Sequence, residues 1–312
     1  MPSDIIQWFP GHMAKTRRLI TENLPLVDLV IEVLDARIPY SSRNPELRRL
    51  CGQKPILTVL SKASLADPAA SALWQSYYQD CGRRAVFCDC ISGFGMQALS
   101  DAAAAMLSEK RARYDAKGMQ GRTLRAMIVG IPNVGKSSLI NKISGGKSAK
   151  VENRPGVTLT KQWVPTNVGF DLLDMPGVLW PKFEEQAVGE NLAMTGAIKD
   201  DVVDLERVAY ALVGRLRKLY PEALAERYKL GALSQYDALD DWELFEVIGK
   251  KRGFLVAGGE VNTERCARAL IDEFRAAKIG RITLERPKPI GKKENKGDDE
   301  NSEAEGSACV GS

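Results

Sequence analysis

The amino-acid sequence predicts an α/β fold: a mostly parallel sheet with helices on both faces, followed by a smaller helical region. Three observations carry this expectation. Short apolar runs with strand character alternate with helical stretches as far as Asp174. A glycine-rich turn beginning at Gly130 joins one such run directly to a helix. After about residue 185 the strand signals stop and helical periodicity takes over.

The first strand signal is Asp28 to Leu34 and the second Pro55 to Leu60. Asp67-Pro68 reads as an N-cap followed by proline in the first helical position. Leu73, Trp74, Tyr77 and Tyr78 give that helix its apolar face, and Gly82 ends it. Ala85 to Cys88 is a short strand, and a helix with Leu99, Ala103, Met106 and Leu107 on one side follows. Residues 111–123 read as a basic, glycine-containing connector. Arg125 to Val129 is a strand, the glycine turn opens a helix with Leu139, Ile140 and Ile143, and further strands are expected at Lys161–Val164 and Phe170–Asp174. Near the C-terminus Ala267, Leu270, Ile271 and Phe274 form an i, i+3, i+4, i+7 stripe, with Gly280 as its stop. The expected domains are 1–185, 186–290 and a charged tail, 291–312, too polar to order itself.

Of the 312 residues, 44% are hydrophobic and 27% charged, ordinary for a globular chain with a sizeable core. No apolar run approaches the ~18 residues that cross a bilayer. The N-terminus has no signal pattern, and a motif already begins at Trp8, so the expected location is the cytoplasm, with no membrane partner. The six cysteines and the single histidine, His12, do not form a zinc pattern and read as reduced thiols and a lone imidazole. The tail after Ile290 holds three Lys against six acids, so the net charge of +4 becomes +7 for the body, a weak pointer to a polyanion.

Gly130-Ile131-Pro132-Asn133-Val134-Gly135-Lys136-Ser137 is a P-loop pattern in the strand–loop–helix frame that gives it meaning. Backbone N–H groups of the run Asn133-Val134-Gly135-Lys136-Ser137-Ser138 would cradle phosphate oxygens at a helix N-terminus. Lys136 would reach the β- and γ-phosphates, and the Ser137 hydroxyl would take Mg²⁺. Downstream, Asp174-Met175-Pro176-Gly177 ends a strand, with Asp174 placed to hold Mg²⁺ through water and the Gly177 N–H to sense the γ-phosphate. Between them lies Arg154-Pro155-Gly156-Val157-Thr158, where Thr158 is the natural switch threonine for Mg²⁺, with a surface-loop threonine as the plain alternative. The base-reading candidates, Ser61-Lys62-Ala63-Ser64 and the loop at Asp89-Cys90, come before the P-loop rather than after it. That order is the usual one for a GTP-binding switch domain after circular permutation. The fold class is therefore a circularly permuted P-loop GTPase domain followed by a helical domain.

Trp8-Phe9-Pro10-Gly11-His12-Met13-Ala14-Lys15, Asp35-Ala36-Arg37-Ile38-Pro39 and the permuted motifs resemble the ribosome biogenesis GTPase A family, from about residue 5 to 288. The resemblance extends through Arg252-Gly253-Phe254 and Phe274 to Pro287. It implies late assembly of the large ribosomal subunit, GTP and Mg²⁺ as ligands, and a C-terminal domain that binds ribosomal RNA. Val178 and Leu179 follow Asp-x-x-Gly where many GTPases have a water-positioning glutamine. The resemblance assigns that task to His12, which by itself would read as structural. Asn133 stands where related GTPases help to hold a monovalent cation, so K⁺ is a further expected ligand.

The base-reading loops depart from the pattern. Asn-Lys-x-Asp is replaced by Ser61-Lys62-Ala63-Ser64, and Ser-Ala by Asp89-Cys90. Losing a carboxylate that accepts two donors from guanine removes on the order of 1.5–3 kcal/mol, unless Asp89 supplies it from the other loop. Thr263 to Lys293 carries nine Arg/Lys against four acids, namely Arg265, Arg268, Arg275, Lys278, Arg281, Arg286, Lys288, Lys292 and Lys293. This suits phosphate-backbone contacts, with a solvated helix face as the plain alternative. Lys15, Arg17 and Arg18 could add to the footprint. The protein is expected to be a monomeric GTPase, stimulated by the ribosome. Its rivals are a nucleotide-gated binding factor with negligible turnover and an NTPase of relaxed base specificity.

Overall fold

The structure, a computed structural model, describes residues 11–146, 163–177, 179 and 185–288, with side chains of the first helix from Arg17 onward. Six strands form one sheet: β1 (Leu29–Asp35), β2 (Ile56–Ser61), β3 (Ala85–Phe87), β4 (Leu124–Gly130), β5 (Trp163–Pro165) and β6 (Phe170–Asp174). Their order is β3-β2-β1-β4-β6-β5. All neighbours are parallel except β5, which runs antiparallel to β6. β1 sits at the centre and is buried along its whole length, which is why it reads as a nearly continuous apolar run.

Side chains alternate across the sheet with period two. Leu29, Ile31, Val33, Ala126 and Ile128 share a core with α4 (Met96–Ala116) and α5 (Lys136–Ile143) through Leu99, Ala103, Leu107, Leu139, Ile140 and Ile143. On the opposite side Val30, Met127, Val129 and Leu173 meet α1 (Gly11–Asn23) and α2 (Pro45–Cys51) through Ile20, Leu47 and Cys51. The register pairs Asp35 with Ser61, Val33 with Gly130, and Ile128 with Asp174. Parallel pairing therefore brings the carboxyl ends of β1, β2, β4 and β6 to one edge, where open α/β sheets bind ligands.

Asp67 caps α3 (Pro68–Asp80), accepting the Ala69 N–H at 2.8 Å, a bond that contributes about 1 kcal/mol to such a helix. Several expectations need correction. Leu73 is 53% exposed, whereas Trp74 and Tyr78 are buried as expected and Ala70 joins them. The connector begins later than residue 111, because α4 continues to Ala116. Its last turns are drawn onto the sheet by Lys110, 2.6 Å from Asp28, and by Arg111, which donates to the Gly169 carbonyl at 3.3 Å. The first glycine that can break the helix is Gly118, at φ 73°.

The later chain forms α6 (Gln186–Met194), α7 (Leu205–Leu219), α8 (Pro221–Tyr228), α9 (Asp241–Lys251) and α10 (Thr263–Arg275). The stripe Ala267, Leu270, Ile271 and Phe274 is buried in a core shared with Val208, Leu212 and Leu216 of α7. α10 stops at Arg275, five residues before Gly280, and Ala277 turns the chain at φ 54°. Residues 281–286 then return to the sheet. Ile282 N–H donates to the Leu65 carbonyl at 3.1 Å and Leu284 N–H to the Arg37 carbonyl at 2.8 Å.

Three cations of the basic segment also bond within the fold. Arg275 is spent inside the fold, donating to the Met194 carbonyl at 3.0 Å and pairing with Asp200 at 2.7 Å. Arg281 donates to the carbonyls of Ala63 and Ala66, each at 2.9 Å. Arg286 pairs with Asp67 at 3.3 Å. Lys292 and Lys293 lie outside the described residues.

Candidate nucleotide-binding site

The phosphate end is built at the exit of β4. A Cβ at Gly130 would lie 2.5 Å from the Val33 carbonyl oxygen, so only glycine lets the loop start this close to β1. The chain turns at Asn133 (φ 55°) and Gly135 (φ 100°), and α5 begins at Lys136. The Val134 side chain is buried in the core, leaving its backbone to the loop, while Ser137 is half-buried and Ser138 exposed.

Lys136 is buried and donates to the carbonyls of Gly130 at 3.1 Å and Ile131 at 2.8 Å. Burial lowers its pKa to about 8, against the opposing pull of Asp174. Burial raises the Asp174 carboxyl in turn, and Lys136 opposes that rise. A Cβ at Gly177 would stand 2.8 Å from Lys136 Nζ and 3.0 Å from Pro132, so this glycine lies directly on the P-loop. A buried ammonium, a hydroxyl and a carboxylate converging on a helix N-terminus suit a Mg²⁺-triphosphate, in which phosphates and water complete the metal's shell. No group of three or more His, Cys, Asp or Glu that could hold a metal occurs among the described residues. Thr158 lies outside them.

At the base end, the two loops are tied together by backbone bonds: Ala63 N–H to the Cys88 carbonyl at 3.1 Å, and Cys88 N–H to the Leu60 carbonyl at 2.8 Å. Ser61 is buried. Its hydroxyl lies 2.9 Å from the Leu34 carbonyl and 2.5 Å from that of Val134, tethering the base loop to the P-loop. Lys62, at φ 56°, donates from Nζ to the Asn133 carbonyl at 2.7 Å and to Asp35 at 2.9 Å. Ala63 is buried and Cys90 half-buried. Ser64 and Asp89 are joined side chain to side chain at 2.5 Å.

Sequence reasoning missed what stands behind Lys62. Asp35 also binds Arg37 in a two-pronged pair, 3.0 Å from Nε and 2.8 Å from Nη2, with both side chains buried. Burial alone would raise the Asp35 carboxyl, but Arg37 and Lys62 hold it well below the usual carboxylate range. The Arg37 guanidinium also lies 5.4 Å from the centre of the Phe274 ring in α10. Opposite charges two residues apart at the end of an apolar strand were the available signal.

A second link runs from the P-loop itself. The Asn133 side chain donates from Nδ2 to the Gly196 carbonyl at 2.8 Å, just after α6. Its amide oxygen takes no part in that bond. His12 lies within α1, and its side chain is outside the described part.

Residues 125–215 match the protein-family model described as 50S ribosome-binding GTPase. Over 287 residues the chain is 46% identical to ribosome biogenesis GTPase A of Bacillus cereus, covering 92% of this chain and 96% of that protein. Among solved structures, GDP-bound TM YlqF superposes with a TM-score of 0.60 at 26% identity, over 86% of this chain and 99% of that one. GNP-bound YlqF from T. maritima gives a TM-score of 0.58 at 26% identity, covering 87% and 98%.

Proposed function

The chain belongs to the ribosome biogenesis GTPase A family, and from that premise we propose that it is a GTP-dependent factor in late maturation of the large ribosomal subunit, with hydrolysis coupled to its release. The observation that carries the reading is the P-loop, with Lys136 buried beneath Gly177 and beside Asp174. In this reading residues 1–185 are a circularly permuted GTPase domain, 186–290 an RNA-binding domain and 291–312 a charged tail.

The P-loop N–H groups and Lys136 bind the phosphates, and the Gly177 N–H reports the γ-phosphate. Ser137, Thr158 and Asp174 would hold Mg²⁺, which supplies charge neutralisation to the phosphates when bound. Lys62 covers the base with its aliphatic stem, and the Asn133 amide oxygen is the group suited to K⁺. His12 positions the attacking water, since the Leu179 side chain is buried and apolar.

The large subunit or its precursor and its RNA are the partners, met by a monomer in the cytoplasm. Arg265, Arg268 and Lys278 are exposed cations available to RNA on the C-terminal side, together with Lys288 beside Tyr40. Two links favour coupling between nucleotide and RNA surface: Asn133 to Gly196, and the strap that Arg281 fastens to the base loop.

Single-turnover GTP hydrolysis with and without purified large-subunit precursors tests this. Stimulation by the particles is the expected result. The same slow rate in both would reduce the protein to a nucleotide-gated binder.

A further inference from the structure

The Ser64–Asp89 pair at the base end is not explained by the nucleotide motifs. Ser64 stands where the pattern has an aspartate, and Asp89 stands where it has a serine. Their meeting is fixed by the fold, because β2 and β3 pair in parallel and the backbone bonds between residues 60, 63 and 88 hold the two loops in register. Asp89 Oδ1 accepts three donors: Ile91 N–H at 3.0 Å, Ser92 N–H at 2.8 Å and the Ser92 hydroxyl at 3.1 Å. Oδ2 accepts the Ser64 hydroxyl at 2.5 Å. Asp89 is only 3% exposed, whereas Ser64 is exposed.

Burial would raise the Asp89 carboxyl, but the bonds from Ser64, Ser92 and Ile91 bring it below its ordinary value, so it is a carboxylate with no proton to give. A free serine hydroxyl turns to donate or accept as its partner requires. This one has its only proton committed inward, and what it offers outward is lone pairs. N1 of guanine and of hypoxanthine carries a hydrogen, and N1 of adenine is itself an acceptor.

Resting on the GTP-binding reading above, we propose that Asp89 turns Ser64 into an acceptor-only reader of the base, selecting 6-oxopurine triphosphates over ATP while ignoring the exocyclic amine of guanine. The amine goes unread because one serine oxygen takes one donor where a carboxylate takes two. ITP is therefore a ligand equivalent to GTP. A further consequence is that Ser64→Asp alone does not restore the common arrangement, because it sets a second carboxylate against Asp89.

The test is titration calorimetry of the full chain with the Mg²⁺ complexes of GTP, ITP and ATP. For the wild type, GTP and ITP should bind within about threefold of each other and ATP about tenfold or more weaker. Asp89→Asn keeps an acceptor for the loop N–H groups but presents an amide donor to Ser64, turning the hydroxyl proton outward. It should bring GTP and ATP to within about threefold. The double variant Ser64→Asp, Asp89→Ser should create a preference of about tenfold for GTP over ITP and bind GTP more tightly than Ser64→Asp alone. ITP as weak as ATP, or an unchanged GTP-to-ATP ratio in Asp89→Asn, overturns the proposal. Equal wild-type binding of all three nucleotides overturns it too, but leaves the triphosphate site standing. No binding of any of them overturns the GTP-binding reading itself.

Discussion

At the phosphate end, Gly130, Lys136 and Gly177 stand where the P-loop and Asp-x-x-Gly patterns require them; at the base end, Ser61, Ser64 and Asp89 do not, yet the loops there are no less tightly built. In the proposed site the phosphate end depends on backbone conformation, and a Cβ at Gly130 or Gly177 would collide with its neighbours. Substitution there has little room. The base end works through side chains drawn from two loops and from the C-terminal strap, so one residue can take over part of another's task. Ser61 keeps the tether to the Val134 carbonyl, and Lys62 keeps its place on Asp35.

The largest effect should come from breaking the phosphate end. Lys136→Ala removes the buried ammonium, and affinity for GTP and ATP alike should fall about 100-fold or more, since paired buried charge is involved. Calorimetry giving unchanged affinity would remove the P-loop from the account. Next is His12→Ala, which should slow particle-stimulated hydrolysis by about 10²-fold while leaving nucleotide affinity nearly intact. Equal rates would return His12 to a structural role.

Smaller effects sharpen the contrast. Above pH 8, where free Lys136 loses its proton, affinity for Mg²⁺-GTP should decline by up to about tenfold per unit, because bound phosphates favour the ammonium. Affinity that stays level or rises as pH increases above 8 would contradict it. Arg281→Ala unfastens the strap from Ala63 and Ala66 and should weaken GTP by about fivefold without changing inorganic triphosphate binding. Parallel loss of both would move Arg281's role to overall stability. Replacing Na⁺ by K⁺ should speed hydrolysis a few-fold through the Asn133 amide oxygen, and identical rates would dismiss that ion.

The same contrast governs what could be read in advance. β1, β2, β4 and β6 were legible within about one residue, because buried parallel strands are apolar runs with sharp ends. The P-loop was legible because its spacing is its geometry. The end of α4 and the exposure of Leu73 were not, since tertiary contacts at Asp28 and Gly169 decide the first and the position of α3 on the sheet decides the second. Arg275, Arg281 and Arg286 looked like an RNA surface by charge alone. Their partners within the fold were hidden, because Arg275 meets Asp200 after α6, and Arg281 and Arg286 meet Ala63 and Asp67 only when residues 281–286 return to the N-terminal half, far away in sequence. The Ser64–Asp89 pair was hidden for the same reason: its members are 25 residues apart and meet only through β2–β3 pairing.

Co-sedimentation of the full chain with purified large-subunit precursors, in GTP-analogue-bound and GDP-bound forms, tests the central claim most directly. The protein should travel with the particles when the γ-phosphate is present and remain in the supernatant with GDP. Absence from the particles in both states, or equal binding in both, would contradict a ribosome-assembly role switched by the nucleotide.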